Sequence, residues 1–420
     1  MALSDWAGSD GTAFTTRPAH RQWLLDQART LFALFQNRAF NPSGGFYPLG
    51  DDGTPLPAPG PGGVMRGLHD TTRMVHCYAM AHLLGLPGAD RMVDHGMAFL
   101  ASHHKDARNG GWFWQVDDKG PVDASKQAYG HAFVLLASAS AMVVGHPGAA
   151  GMMADVTDVL LRRFWDDKAG ATTEEYAADW SPLGPYRGQN SNMHLTEALM
   201  AAFEASGTRD YLTMAERIAE LIINRHARTE GWRVAEHFTD DWQVDRRYEG
   251  NPMFRPAGTT PGHALEWSRL LVQLWELGGR KLAWLPEAAE ALFLHTCAIG
   301  WDSDTGGFYY TLDWSDRPSR PDRYWWPCAE AIAAASVLRQ ISANPAFELW
   351  YRRVWSFAAT HLIDWQHGGW YPELGPDLKP VKRVFTGKPD LYHAVQACLI
   401  PLLPATGSAT AGLLAGLPIR

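Results

Sequence analysis

The sequence predicts an all-α protein, an (α/α)6 barrel of twelve helices with short β-strands in the loops at one mouth, and three observations predict it. The first is a recurring turn: glycine followed by an aromatic residue appears as "GGFYP" at Gly44, "GGWFW" at Gly110, "GWRV" at Gly231, "GGFYY" at Gly306 and "GGWYP" at Gly368. A degenerate copy, "KAGATTEEY", places Gly170 in the one large gap. The second is the period: intervals of 66, 60, 61, 75 and 62 residues are close to two helices plus their loops. The third is that helical periodicity fills those intervals in pairs joined by short links, which makes the two helices of a pair antiparallel neighbours. Six such hairpins closing on themselves give the barrel.

Taken in order, the apolar spacing predicts helices over about 20–37, 70–85, 88–103, 124–144, 147–165, 192–205, 208–227, 262–278, 284–298, 326–341, 344–362 and 390–403. The even-to-odd joints are brief: "GLPG", "GHPG", "SGTRD" and "SANP". Each odd helix instead runs into a glycine-aromatic turn. The eighth helix opens "TTPGHALEWSRLL", a threonine and a proline ahead of a stripe made by Leu265, Leu270 and Leu271. No strand-then-helix alternation supports a parallel sheet, so strands are expected only as short pieces of the long loops. The chain, 1–420, reads as a single barrel domain.

Composition agrees with a large globular core, 46% of the 420 residues being hydrophobic. A formal charge of −8, with no run of lysines or arginines, argues against nucleic acid or a membrane surface as partner. The opening "MALSDWAGSDGTAFTTRP" has neither a basic nor an apolar leader region, and the longest apolar run, "HAFVLLASASAMVVG", is too short to span a bilayer. A cytoplasmic protein is expected. Cys77, Cys297, Cys328 and Cys398 lie far apart among apolar residues, as core fillers would, and form neither a zinc pattern nor a disulfide framework. Nineteen tryptophans suit a large core, and some of the rings suit a sugar cleft, where an apolar face stacks while polar edges bond. Apolar positions on outer helices serve core and subunit contact alike, so this pattern does not encode an oligomeric state.

Polar residues divide the helices into two sets. The even helices begin with Asp70 and Arg73; Lys126, Tyr129 and His131; Asn190, Asn192 and His194; His263 and Glu266; Trp326 and Glu330; Asp390, Tyr392 and His393. The odd helices begin blandly. If the even helices form the inner ring, all six sets converge on one mouth, where the positive ends of the helix dipoles also point. An isolated inward histidine is more often a hydrogen-bonded core residue than a catalyst, but six coincident helix starts describe a pocket. Asp70 and Asp390 read as N-caps, and His103 and His104 as solvated residues at a helix end. "PGPGGVMRG" follows no strand, which makes it a mobile loop over the mouth rather than a phosphate cradle.

"TTRMVHCYAMAHLLG", "VDASKQAYGHAF", "YRGQNSNMHLTEA", "TPGHALEWSRL", "RYWWPCAEA" and "GKPDLYHAVQ", in this order and spacing, resemble the N-acylglucosamine 2-epimerase superfamily over about residues 20–404. Within it the chain looks most like the aldose–ketose isomerases of mannose-type sugars. The resemblance implies a monosaccharide substrate, a catalytic pair at His263 and His393 and a supporting residue at Glu266, which we read as orienting His263 from three residues along the same helix face. It implies substrate contacts at Arg73, Tyr129, Asn190, His194, Arg255, Trp326 and Glu330. Relatives often carry tryptophan four residues before the helix arginine, where this chain has His69. Relatives that act on a sulfonated sugar place glutamines where this chain has Pro372 and Pro389, which lack both a side-chain donor and a backbone N–H.

The chemistry suits these residues. Moving a carbonyl between C1 and C2 requires a base of near-neutral pKa to take a proton beside the carbonyl and return it to the neighbouring carbon, through an enediolate, and histidine is that base. Arg73 and the helix N-termini would stabilise the oxyanion. No nicotinamide, nucleotide or metal motif accompanies them, so no cofactor and no metal is expected. A 2-epimerase using two opposed bases, and a glycoside hydrolase using Glu266, Glu330 and Asp390, are the alternative readings.

Overall fold

Some helices of this chain are apolar all round and others only along one stripe, and that difference sorts them into two layers. The computed structural model describes residues 12–56 and 62–416. Its principal helices are α1 (Pro18–Arg38), α2 (Leu68–Leu83), α3 (Ala89–Phe99), α4 (Ala128–Val143), α5 (Ala149–Val159), α6 (Gln189–Ser206) and α7 (Arg209–Ala219). The remainder are α8 (Pro261–Leu277), α9 (Trp284–Gly300), α10 (Trp325–Ile341), α11 (Ala346–Phe357), α12 (Leu391–Leu399) and α13 (Ala409–Leu414). All nine residues of α12 and 14 of the 16 in α4 are buried. In α7 only Tyr211, Leu212, Ala215, Ile218 and Ala219 are buried, a single stripe.

The even helices touch in the cycle α2–α4–α6–α8–α10–α12–α2, a closed inner ring. Around it α3 packs on α2, α5 on α4, α7 on α6, α9 on α8, α11 on α10 and α1 on α12. The (α/α)6 barrel expected from the sequence is thus the observed fold. Among the described residues no helix is long and apolar enough to cross a membrane.

The recurring turn has a conformational basis. Gly110 and Gly111 both have φ near +75° (79° and 72°), where a Cβ is disfavoured, and a Cβ on Gly111 would come within 2.8 Å of Trp180. In the "GWRV" copy Trp232 takes the second left-handed position, at φ 69°, so this turn carries local strain that an ordinary glycine pair avoids. Beyond each turn the chain makes only two- or three-residue antiparallel pairings, such as Arg187–Gly188 with His237–Phe238, which tie one mouth loop to the next.

Several expectations are corrected. Helix α13 closes the end of the barrel opposite the mouth, touching α2, α4 and α6. Six residues are too short for a periodic signal; the local cue is the Ser408 N-cap, whose hydroxyl accepts from the Ala411 N–H at 3.3 Å. Asp390 does cap α12, accepting from the Tyr392 N–H at 2.9 Å, but Asp70 is the third residue of α2, whose N-cap is Gly67. His103 is exposed as expected. His104 is fully buried between Thr71 and the Phe113 carbonyl, and burial pushes its pKa down to about 4. Of the loop read as mobile, residues 59–61 lie outside the described residues. All four cysteines are buried and free, as core fillers.

Candidate active site

Because every inner helix starts at the same mouth, side chains in its first two turns face one space. That space is a cavity of about 420 Å³ lined by Arg73 of α2, Tyr129 of α4, Asn190 and His194 of α6, His263 and Glu266 of α8, Trp326 of α10 and His393 of α12. Eight of the ten residues expected at the site therefore meet there. Trp114, Phe254, Trp325 and Phe385 add aromatic walls. His69 lies flat against Trp114, ring centroids 5.1 Å apart at 17°, so the histidine adds to the aromatic wall in which Trp114 supplies the indole.

The two catalytic candidates are held alike. His393 Nδ1 donates to Glu330 Oε1 at 2.8 Å, and Arg269 Nε donates to the other oxygen of that carboxylate at 3.1 Å. His263 Nδ1 donates to Glu236 Oε1 at 2.8 Å, and Gln189 Nε2 donates to Glu236 Oε2 at 2.9 Å. Each carboxylate fixes ring orientation and tautomer and leaves Nε2 for chemistry. The Trp326 ring is near both, with centroids 5.0 Å from His263 and 5.7 Å from His393. The partner of His263 is thus Glu236 and not Glu266, as the sequence had suggested.

Glu266 does something else. It is fully buried, neither oxygen has a hydrogen-bond partner among the described residues, and burial, with Glu330 nearby, pushes its pKa well up. Burial and the neighbouring Glu330 thus favour the protonated form of this side chain. His194 Nδ1 is 3.6 Å from it, and burial, reinforced by Arg73, pushes the imidazole pKa well down, so His194 is neutral. Burial also lowers His393, while Glu330 opposes that shift. Beneath the cavity Arg269 sits among three carboxylates, Glu197 at 3.1 Å, Glu330 at 3.1 Å and Glu266 at 3.5 Å. His194, Glu197 and Glu266, like Glu266, Glu330 and His393, present possible ligand atoms within 4.8 Å of one another. Arg269 already supplies the positive charge at both clusters.

Two expected contacts are displaced. Glu330 is fully buried behind His393 and outside the cavity wall. Arg255 turns away, bonding Glu175 Oε2 at 2.8 Å and stacking on Tyr186 at 4.3 Å. Lys126, His131 and Asn192 serve the framework: Lys126 pairs with Asp106 at 2.9 Å, His131 accepts the Trp112 N–H at 3.1 Å, and Asn192 accepts the Thr172 N–H at 2.8 Å. Glu236 was missed, yet the repeat holds its counterpart: the Glu236 carbonyl accepts the Gln189 N–H at the start of α6 at 3.1 Å, as the Glu174 carbonyl accepts the Ala128 N–H at the start of α4 at 2.8 Å. Arg269 stands three residues after Glu266, on the same face of α8.

Comparison with known proteins follows the same lines. The chain is 45% identical over 410 residues to a D-mannose isomerase of Thermobifida fusca, covering 96% of this chain and 99% of that one. It is 44% identical to a D-mannose isomerase of Pseudomonas cannabina pv. alisalensis, covering 94% and 96%. A crystal structure of a D-mannose isomerase superposes with a TM-score of 0.86 at 31% identity, covering 92% of this chain and 99% of that one. Residues 44–397 match the family model described as N-acylglucosamine 2-epimerase (GlcNAc 2-epimerase). The chain belongs to the N-acylglucosamine 2-epimerase family.

Proposed function

We propose that this protein is a cofactor-independent aldose–ketose isomerase that interconverts D-mannose and D-fructose, with D-lyxose and D-xylulose as a related pair. The observation that carries this reading is the matched construction of His263 and His393: each Nδ1 is bound by a buried carboxylate, and both rings face one cavity. The relatives named D-mannose isomerase, nearly coextensive with this chain, support the same choice of sugar.

In the forward direction His393 Nε2 takes the proton from C2 of the open-chain aldose. The C–H electron pair forms the C1–C2 double bond and the carbonyl π pair moves onto O1, giving the enediolate. The same nitrogen returns the proton to C1 as the O2–H electron pair forms the new carbonyl at C2, and the O2 proton passes to O1. His263, held by Glu236, carries the oxygen-bound proton and assists ring opening. Arg73, fixed by Asp390 at 2.8 Å and donating to the Tyr129 hydroxyl at 2.9 Å, offers positive charge to the oxyanion, together with the inner-helix N-termini. Glu266, whose protonated form burial favours, offers a hydrogen bond to the same oxygens. Asn190, His194 and Trp326 shape the sugar's seat. Four free, buried cysteines support a cytoplasmic setting.

Incubation of purified protein with D-mannose, followed by chromatography, tests the reading. Fructose is expected as the first product. No ketose from mannose or lyxose would overturn it, and glucose appearing before fructose, with solvent deuterium at C2, would assign 2-epimerisation instead.

A further inference from the structure

Beside the main cavity lies a second recess, of about 240 Å³, between the first turns of α4 and α6. Small-molecule sites run to about 300–1,000 Å³, so the larger cavity suffices alone and the recess does not. Its walls combine aromatic faces, Tyr186 and Tyr248, with hydrogen-bonding groups, Gln127, Glu174 and Asn251, the mixture a sugar ring requires. It is unused by the mechanism.

Four residues face both spaces: Trp114, Tyr129, Asn190 and Phe254. Tyr129 and Asn190 belong to inner helices, and Trp114 directly follows a glycine turn. Phe254 alone comes from the irregular stretch between Phe238 and α8. Its ring meets His69, Trp114 and Tyr129 edge-on, with centroids at 5.4, 5.6 and 5.8 Å. The stretch is fastened on both sides: the Tyr310 hydroxyl donates to the Pro252 carbonyl at 2.9 Å, and His237 Nε2 bonds the Pro256 carbonyl at 2.7 Å. Arg255, next in sequence, is clamped by Glu175 and Tyr186.

We propose that Phe254 is a partition that limits the site to a single sugar unit by closing off the recess behind it, which without this ring would seat a glycosyl group on the far end of the substrate. The proposal rests on the isomerase reading. In the ring of six, α6 lies opposite α12, so a hexose whose C1 and C2 meet His393 directs C4 to C6 toward the recess. Asn190, at the boundary, has a buried Oδ1 with no partner among the described residues, an acceptor available to a sugar hydroxyl. Arg255, which also lines the recess, is a positioning residue for the partition through its bonds to Glu175 and Tyr186.

The test compares kcat/KM for D-mannose with that for mannose bearing a glycosyl group on O4 or O6, in the wild type and in Phe254→Ala, Phe254→Leu and Arg255→Met. The readout is the ratio of substituted to unsubstituted sugar, which a general loss of stability would not move. Phe254→Ala is expected to raise the ratio at least tenfold for one of the two linkages, Phe254→Leu by less, and Arg255→Met to raise it by loosening the clamp. A wild-type ratio already near one, or folded Phe254 variants with an unchanged ratio, overturns the partition. If the wild type left mannose unchanged, the isomerase reading would fall instead. Calorimetry with the two disaccharides then decides: binding gained only by the Phe254 variants supports the partition, and equal binding by the wild type overturns it.

Discussion

His393 and His263 each lean on one carboxylate, but the carboxylates differ in what stands behind them: Arg269 braces Glu330, whereas an uncharged amide, Gln189, braces Glu236. At the residue scale this gives separable predictions. His393→Ala should lower kcat by about 10²–10⁴-fold, the usual worth of a positioned general base, with the far-ultraviolet circular dichroism unchanged. The base is the neutral imidazole, and burial lowers its pKa from 6.5. Wild-type kcat/KM should therefore hold below pH 6.5 before its acid limb falls. Glu330 raises that pKa, so Glu330→Gln should move the acid limb to still lower pH while kcat drops, because the remaining base is weaker. A limb moving upward would contradict the assignment. Glu236→Gln should lower kcat/KM by at least tenfold, about 1.4 kcal/mol of transition-state stabilisation, with the His393 limb in place.

At the scale of elements, the inner helices are aligned by their neighbours, and the barrel's far end is sealed by α13. Gln273 Nε2 donates to the Gly407 carbonyl at 2.7 Å, and Glu204 accepts the Ser408 N–H at 2.7 Å. Burial raises Glu204 from 4.5 to about 7, against the bonds from Ser408. A raised carboxyl contributes stability that is fully present below pH 4.5 and lost as pH rises through about 7. Glu204→Gln keeps an acceptor and removes the titration. Its melting temperature should therefore exceed that of the wild type at pH 8 by the equivalent of 1–3 kcal/mol, roughly, with the difference closing or reversing at pH 4.5. Equal pH dependence in both proteins would show that the plug does not feel this charge.

For the whole molecule, net charge and pocket charge point the same way. The cations on the cavity wall are already matched: Arg73 by Asp390, Lys388 by Asp364 and Arg66 by Asp118. Pro389 lines the same wall and offers no donor, and the carbonyl of Pro372 accepts from the Trp325 N–H. An anionic group on C6 would find no lysine or arginine on this wall without a carboxylate partner already, and a charged group that loses such hydrogen bonds forfeits about 1.5–3 kcal/mol each. Mannose should therefore be preferred over its 6-phosphorylated or 6-sulfonated analogues by at least tenfold in kcat/KM. A ratio favouring the anion would remove this specificity and leave the proton-transfer chemistry standing.

Twelve of the helices, their pairing and which of them line the barrel are legible in the sequence, because period, turn chemistry and the placement of polar residues at helix starts are local properties of the chain, whereas the six-residue α13 is too short to show a period. The six left-handed turns mark the repeat even where glycine gives way to Trp232. Eight of the ten expected residues share the mouth because each lies in the first two turns of an inner helix, whereas Trp114, Phe254 and Phe385 reach it from loops. Only the tertiary structure decided who partners whom. Glu236 reaches His263 from 27 residues away, and Glu330 reaches His393 across 63. Helical spacing made Glu266 the nearer candidate for His263, but residues three apart on one helix share a face without having to touch. Closing the ring set Glu266 beside His194 and turned Arg255 from the main cavity toward Glu175 and Tyr186. Distances between helices depend on how all six inner helices pack at once, which no local stretch of sequence contains.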